Sequence, residues 1–208
     1  MMTHTVLSQG VKNPRRRWTQ KEFVLTTFKV VPNEGCLEKA LIHAKEAGFN
    51  YVEFTWTNQQ VCRQAVEICD RLGLKAMVQD TSLFGGFQES IKGPEDQESL
   101  KKAVELYGSH KSLGVYYVWD EPYPEQFECA RRQIDILEEL DPDRLPFTVA
   151  LPSYNPRFTW QNGQFSDYLG QYAEKLDPPV FSMDYYPFFW EIKTSQDLDR
   201  SNVWKDLG

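Results

Sequence analysis

Segments rich in β-forming residues alternate with amphipathic helical segments along most of this 208-residue chain. The predicted strands begin roughly 24 to 40 residues apart, which is the spacing of a strand, a crossover helix and a parallel strand. This alternation predicts an α/β fold with parallel strands and right-handed crossovers. The predicted strands are Phe23–Val31, Tyr51–Trp56, Lys75–Asp80, Val115–Trp119, Pro146–Leu151 and Val180–Tyr186. The predicted helices are Cys36–Ala47, Asn58–Gly73, Glu95–His110, Pro124–Leu140 and Phe165–Leu176.

Two α/β architectures fit this order, an open doubly wound sheet and a TIM-type (β/α)8 barrel. A doubly wound sheet that binds a dinucleotide has a glycine-rich turn after an early strand, and Val31–Gly35 lacks that fingerprint. A barrel predicts polar and acidic residues at several strand ends, and this chain has them. We therefore expect an incomplete barrel of about six βα units, because a complete barrel usually needs about 250 residues.

The domain organisation follows from the same pattern. We expect a polar N-terminal tail over residues 1–21 and a barrel domain over residues 22–208 that lacks its last two strands. Asn202–Leu207 is interpreted as the start of a sixth helix. Because the edges of an unclosed barrel expose unpaired backbone groups, self-association through those edges is a further expectation.

Charge and composition limit the partners of this chain. Its net charge of −7 and pI of about 5.1 disfavour nucleic acid and anionic membranes, since no basic face neutralises phosphates. No apolar run of about 18 residues predicts a membrane span, and the tail lacks the apolar core of a signal peptide. The four cysteines form no CxxC pair, which favours unpaired thiols and a cytoplasmic location. No nucleotide motif or histidine cluster predicts a cofactor or a zinc site.

The segment Gly114–Pro122 ends a buried strand on two adjacent carboxylates. Its valine, tyrosine and tryptophan residues favour a pleated, buried segment. Pro122 cannot continue the hydrogen-bond ladder, so the strand delivers Asp120 and Glu121 to its carboxyl end. In a parallel α/β barrel, that end is the face on which the chemistry takes place.

Acidic, amide and aromatic side chains follow the other predicted strands in the same way. Because the carboxyl ends of parallel strands lie at one edge of the sheet, we expect these side chains to surround one mouth. Aromatic rings stack on the apolar faces of pyranose rings while acids bind the hydroxyls, so this composition indicates a sugar site. The predicted substrate-binding residues are Glu53, Trp56, Gln79, Asp80, Tyr154, Asn155, Asp184, Tyr185, Tyr186 and Trp190.

The runs Tyr116–Pro122 and Ser182–Phe188, with the strand-helix order over about residues 22–190, resemble the glycoside hydrolase-type barrels. The resemblance implies hydrolysis of a carbohydrate, with the acid that ends the fourth strand, Glu121, as general acid/base. Families with the common pattern place Asn immediately before this Glu, where this chain has Asp120. The adjacent acids look more like the substrate-assisted hexosaminidase barrels. There the Asp orients and polarises the 2-acetamido group of the substrate while the Glu protonates the leaving oxygen.

Two adjacent carboxyl groups influence each other's ionisation. A carboxylate beside a carboxylic acid raises one pKa and keeps one group protonated near neutral pH. Burial against Trp119 or Tyr117 acts in the same direction. A two-carboxylate mechanism needs another acid across the sugar, for which Asp184, Asp80 and Glu53 are the candidates within the chain.

Three alternatives stay open on the sequence alone. Asp120 and Glu121 both suit a structural role, as caps of the helix predicted from Pro124. A carbohydrate-binding barrel without turnover accounts for the same strand ends. A metal-assisted lyase or isomerase does so as well, with Mg²⁺ or Mn²⁺ held by the oxygens of the acids. The sequence leaves the sugar, the linkage, the stereochemical course and the oligomeric state undetermined.

Overall fold

The computed structural model describes residues 18–28, 36–84, 97–153 and 165–185. In that part of the chain, four parallel strands form one sheet in the order β1-β2-β3-β4, and helices connect them. The strands are β1 Tyr51–Thr57, β2 Lys75–Asp80, β3 Leu113–Asp120 and β4 Leu145–Val149. The helices are α1 Leu37–Glu46, α2 Gln59–Leu72, α3 Thr81–Phe84, α4 Gln97–Tyr107, α5 Phe127–Leu140 and α6 Phe165–Gln171. A 3₁₀ turn, Pro124–Gln126, precedes α5, and a π-helical turn, Tyr172–Leu176, extends α6. No helix in these ranges is long and apolar enough to cross a membrane.

The order of the strands in the sheet follows their order in the chain without a reversal. A doubly wound sheet reverses its strand order at a switch point, so the four described strands do not have that topology. A single parallel bridge joins Thr26 to Tyr51 before β1, and another joins Ala150 to Met183 after β4. The predicted first and sixth strands therefore amount, within the described residues, to single bridges. Closure of this open sheet into a barrel stays a prediction.

The ends of α2 are determined by local sequence signals. Asn58 precedes the helix with an extended backbone, and its Oδ1 accepts a hydrogen bond of 3.0 Å from the Val61 N–H. This bond satisfies one of the first-turn N–H groups that have no partner within the helix. Gly73 ends the helix in the left-handed region at φ 71°, which glycine adopts readily because it has no Cβ. The observed ends of α2 confirm the helix that the sequence predicts over Asn58–Gly73.

The sheet is apolar on both faces, and alternate residues of each strand serve different faces. Val52 and Phe54 of β1 belong to the main core, which packs against the helices. The opposite face has a smaller cluster of buried side chains, flanked by Trp18 and Val24. The buried members of this second cluster are Tyr51, Met77, Val115, Tyr117, Leu145 and Val149. The face to which a polar side chain points therefore depends on its parity along the strand.

Large apolar side chains are exposed beside both single bridges. Phe23 is 83% exposed and Phe28 is 68% exposed near the Thr26 bridge, and Phe181 is 52% exposed near the Met183 bridge. These side chains lie at the two edges of the described sheet, where unpaired backbone groups are also found. Self-association through these edges stays a prediction.

Candidate active site

The carboxyl end of β3 departs from regular strand geometry. The register of β3 against β4 shifts between Tyr117 and Trp119, which is a bulge. Past the bulge, Trp119 is 1% exposed and packs in the helix-side core, so Trp119 is a core residue. Glu121 follows with φ 48°, a left-handed conformation that costs a non-glycine residue about 1–3 kcal/mol. Its N–H donates to the Val149 carbonyl at 3.1 Å, which ties the strained residue to β4.

Tyr117 and Asp120 form a partly buried hydrogen bond at this strand end. The Tyr117 hydroxyl donates to Asp120 Oδ1 at 2.8 Å. The Tyr117 ring packs edge-on against Phe147, with the ring centroids 5.2 Å apart. The pKa of Asp120 is raised to about 6, because burial and the charge of Asp184 outweigh the hydrogen bond from Tyr117, which lowers it. At neutral pH, Asp120 is therefore mostly ionised.

Asp184 reaches the same place through the bridge beyond β4. The Ala150 N–H donates to the Ser182 carbonyl at 2.8 Å, and the Asp184 N–H donates to the Ala150 carbonyl at 3.0 Å. The Asp184 carboxylate shares a side-chain hydrogen bond with Glu121. Asp184 thus meets Glu121 across more than 60 residues of chain, which the sequence pattern alone does not indicate.

Glu121 holds its proton more strongly than an ordinary glutamic acid. Burial, the charges of Asp120 and Asp184, and the hydrogen bond with Asp184 together raise its pKa to about 8, and burial is the largest of these causes. A carboxyl group near other carboxylates resists ionisation because like charges repel in a medium of low polarity. This arrangement agrees with the expectation that one of the two adjacent acids is protonated near neutral pH, and Glu121 is the protonated one.

The ends of β1 and β2 add further polar groups on the Tyr117 face. Glu53 is buried and accepts a hydrogen bond of 2.9 Å from the Thr55 hydroxyl, and its charge acts on Tyr117. Trp56 has φ 51°, and its N–H donates to Gln79 Oε1 at 3.2 Å. Two strand ends in this region thus have non-glycine residues in the left-handed conformation, which is enriched at functional sites.

The four carboxyl groups of Glu53, Asp120, Glu121 and Asp184 are called the acid cluster below. Tyr117 connects them, since Asp120 accepts its hydrogen bond while Glu53 and Asp184 act on it electrostatically. Asp120, Glu121 and Asp184 are also linked directly through the interactions that raise their pKa values. The structure therefore brings together acids from three separate parts of the fold.

Asp80 does not join the acid cluster. Its Oδ2 accepts a hydrogen bond of 2.7 Å from the Tyr107 hydroxyl, and Tyr107 belongs to the helix-side core. Its Oδ1 accepts from the N–H and the hydroxyl of Ser82, at 3.0 and 2.6 Å, at the start of α3. Asp80 is fully buried among these donors, which ties it to α3 and α4, and its contact with substrate stays a prediction.

The remaining predicted site residues divide into two groups. Tyr185 follows Asp184 and is half-buried. Tyr154, Asn155, Tyr186 and Trp190 lie outside the described residues.

Two tyrosines with roles at this strand end were not predicted as site residues. Tyr117 was expected only as an apolar neighbour, and nothing in the sequence marks the bulge that turns Asp120 toward it. The Tyr168 hydroxyl of α6 donates to the Pro122 carbonyl at 3.1 Å and accepts from the Leu151 N–H at 3.0 Å. Tyr168 therefore joins the ends of β3 and β4 directly behind Glu121.

Within the described ranges, no group of three or more His, Cys, Asp or Glu side chains has an arrangement that could hold a metal ion. A cavity of about 240 Å³ lies at the opposite end of the sheet, lined by Trp18, Tyr51, Lys75 and Arg144 among others. Ligands of parallel α/β sheets bind at the carboxyl ends of the strands, whereas this cavity adjoins the amino ends. We therefore assign the candidate site to the acid cluster.

The sequence matches no protein-family model and no curated protein. Solved structures of glycoside hydrolases resemble the fold. A β-glucuronidase from Ruminococcus gnavus in complex with D-glucuronic acid has a TM-score of 0.52 and 12% identity, over 81% of this chain and 27% of its own. A glycosyl hydrolase family 2 member from Bacteroides cellulosilyticus has a TM-score of 0.51 and 18% identity, over 79% and 20% respectively.

A GH2 β-galacturonidase from Eisenbergiella tayi bound to galacturonate has a TM-score of 0.50 and 17% identity, over 83% of this chain and 29% of its own. At these identities the likeness shows a shared fold. The chain spans less than a third of the length of each of these three proteins. The α/β sheet described above thus corresponds to part of a glycoside hydrolase fold.

Proposed function

We propose that this chain is part of a glycoside hydrolase and carries the proton donor, Glu121. One observation supports this most directly. Glu121 is half-buried at the end of a parallel strand, and the pKa of its carboxyl group is raised to about 8. A general acid must hold its proton at the working pH and release it to the leaving oxygen in the transition state. Glu121 has the first property, and the fold likeness to glycoside hydrolases supports the second.

The proposed step breaks the bond between the anomeric carbon and the glycosidic oxygen. The Glu121 O–H bond breaks as its proton passes to that oxygen, and a nucleophile attacks the anomeric carbon. Glu121 is left as a carboxylate beside Asp120 and Asp184. Their repulsion raises its basicity, so Glu121 recovers a proton from the water that completes hydrolysis.

The second carboxylate of an ordinary mechanism stands across the sugar from the proton donor. Retaining glycosidases place their two carboxyl groups about 5–5.5 Å apart and inverting ones about 6.5–9.5 Å apart, so that the sugar or a water fits between them. Asp184 instead interacts directly with Glu121 through its charge and a side-chain hydrogen bond. We therefore assign Asp184 to raising the pKa of the donor.

Two sources of the nucleophile are compatible with the acid cluster. In the substrate-assisted course, the 2-acetamido oxygen attacks while the ionised Asp120 orients and polarises that group. In the two-carboxylate course, the nucleophile or base is another acid, and Glu53 is the candidate among the described residues. The hydrogen bond between Tyr117 and Asp120 favours the first course, because it keeps Asp120 ionised beside a protonated Glu121.

A neutral sugar suits the site better than a uronic acid. Two of the similar structures contain glucuronic acid or galacturonate. The ionised carboxylates of the acid cluster would repel the carboxylate of a uronic acid. In the proposed complex, Trp56 stacks on the sugar while Gln79 and Glu53 bind its hydroxyls.

The test is a hydrolysis screen with aryl β- and α-glycosides of neutral sugars, N-acetyl-hexosamines and uronic acids. It is run on this chain and on any longer product of the same gene, with E121Q, D120N and the exposed-site control E128Q. We expect E121Q to lose at least about a hundredfold in kcat/KM, the size of a general-acid contribution, and E128Q to match the parent. Full activity in E121Q, or sugar binding without cleavage by both this chain and the longer product, would refute the proposal.

The D120N variant separates the two courses. Loss of activity confined to N-acetyl-hexosaminides supports substrate assistance by Asp120. Cleavage of sugars without an acetamido group by the parent, largely retained in D120N, indicates a separate carboxylate nucleophile or base.

A further inference from the structure

Tyr117 is the buried phenol around which the acid cluster is arranged. Its side chain is 5% exposed, and its hydroxyl donates to Asp120 Oδ1 at 2.8 Å. Its ring is held edge-on against Phe147 and packs with the apolar cluster on the same face of the sheet. The hydroxyl therefore has a fixed position and a fixed acceptor.

The groups that act on Tyr117 electrostatically are carboxylates from three parts of the fold. Asp120 comes from its own strand, Glu53 from β1, and Asp184 from the bridge beyond β4. The neighbouring strands β2 and β4 contribute apolar side chains, Met77 and Val149 among them, to the same cluster. Of the three carboxylates, Asp120 accepts the phenol hydrogen bond in this structure.

A phenol that donates to one of several neighbouring acids makes that acid easier to ionise. A hydrogen bond to a carboxylate favours its charged form. The charge on Asp120 is in turn one of the causes that keep the proton on Glu121. The phenol thus acts on Glu121 through Asp120.

We propose that Tyr117 is a positioning residue of this site: its hydroxyl holds Asp120 ionised beside Glu121 and so keeps the transferable proton on Glu121. This inference rests on the proposed function, in which Glu121 is the proton donor. The phenol thus gives the adjacent acids different roles: Asp120 is the ionised carboxylate and Glu121 is the proton donor.

The matched comparison is Y117F against Y116F. Both changes remove one buried hydroxyl from neighbouring residues of β3, but the Tyr116 hydroxyl donates to Asp141 Oδ2, at 2.9 Å, on the other side of the sheet. The readout is the pH titration of the Asp and Glu side-chain carboxyl carbons by ¹³C NMR in the intact chain. Signals of Asp120 and Glu121 are assigned with D120N and E121Q.

In Y117F, we expect the pKa of Asp120 to rise above its parent value of about 6. With Asp120 less ionised, we expect the pKa of Glu121 to fall below its parent value of about 8. Y116F should leave both titrations unchanged. In an active parent, the alkaline limb of kcat/KM should move to lower pH in Y117F alone, which a merely structural loss does not produce.

Unchanged titrations of both acids in a folded Y117F would overturn the role of Tyr117, and so would equal changes in Y116F. If Y117F does not fold, 4-aminophenylalanine at position 117 keeps the ring and a weaker donor. An intermediate rise in the Asp120 pKa then supports the proposal, and a titration identical to the parent's overturns it. The NMR readout needs no substrate, so a parent that titrates as expected, when neither it nor the longer product cleaves a glycoside, refutes the proposed function and leaves the role of Tyr117 intact.

Discussion

Replacing Glu121 with glutamine is expected to stabilise the fold at alkaline pH while it removes the proton donor. In the unfolded chain, this carboxyl ionises near its ordinary value of 4.5, whereas in the fold burial and the charges of Asp120 and Asp184 raise its pKa to about 8. A group with a raised folded pKa contributes stability fully below its unfolded pKa, and that contribution is lost as pH rises through the folded pKa. The window of interest is therefore pH 4.5 to 8.

The magnitude follows from that window and from the exposure of the side chain. Each pKa unit corresponds to about 1.4 kcal/mol, but water screens the half-buried Glu121, so we expect about 2 kcal/mol in total. The E121Q amide is uncharged at every pH and still donates a hydrogen bond to Asp184. E121Q should therefore exceed the parent in free energy of unfolding by about 2 kcal/mol near pH 8.5. The excess should vanish near pH 4.5.

The measurement is urea unfolding followed by tryptophan fluorescence at several pH values across this window. E128Q, at an exposed position in the first turn of α5, serves as the control for loss of one glutamate charge. A difference between E121Q and the parent that does not change with pH would refute the reasoning. A parent that is more stable than E121Q at pH 8.5 would refute it as well, since it would show that the ionised carboxylate is favoured in the fold.

The other stability predictions concern hydrogen bonds away from the acid cluster. N58A should lower the free energy of unfolding by about 1 kcal/mol, because the Val61 N–H loses its cap, and N58S should recover most of that loss in the same urea experiment. Burial disfavours ionisation of Asp70, but bonds from His110 and Ser112 outweigh it and hold its pKa below 3.8. Because Asp70 is exposed to solvent, D70N should cost about 1 kcal/mol near neutral pH, and the cost should shrink below pH 3.8 as the parent's Asp70 protonates. A D70N cost that persists undiminished at low pH would contradict this explanation.

Three results together connect the fold to the proposed chemistry. The bulge in β3 sets the direction of Asp120, the bridge at Met183 brings Asp184 to Glu121, and Tyr168 fixes the ends of β3 and β4 against α6. The bulge, the bridge and the Tyr168 hydrogen bonds each fix the position of the backbone that carries the acids. The left-handed conformation of Glu121 is sustained by these constraints, as strained residues at functional sites require.

The sequence alone predicted the four strands of the sheet, the longer helices and the position of the two central acids. Alternating periodicity gave the α/β fold, Asn58 and Gly73 gave the ends of α2, and Pro122 placed Asp120 and Glu121 at the end of a strand. These signals act over a few residues through propensity, capping and backbone geometry, so they can be read without knowledge of the rest of the fold.

The tertiary structure alone decided which acids meet. In a regular strand, residues 117 and 120 point to opposite faces, because side chains alternate with a period of two. The bulge breaks that alternation, which lets Tyr117 donate to Asp120. Asp184 meets Glu121, and Asp80 instead meets Tyr107, through packing between residues far apart in the chain. Such contacts depend on sheet register and helix packing, which local sequence patterns do not specify.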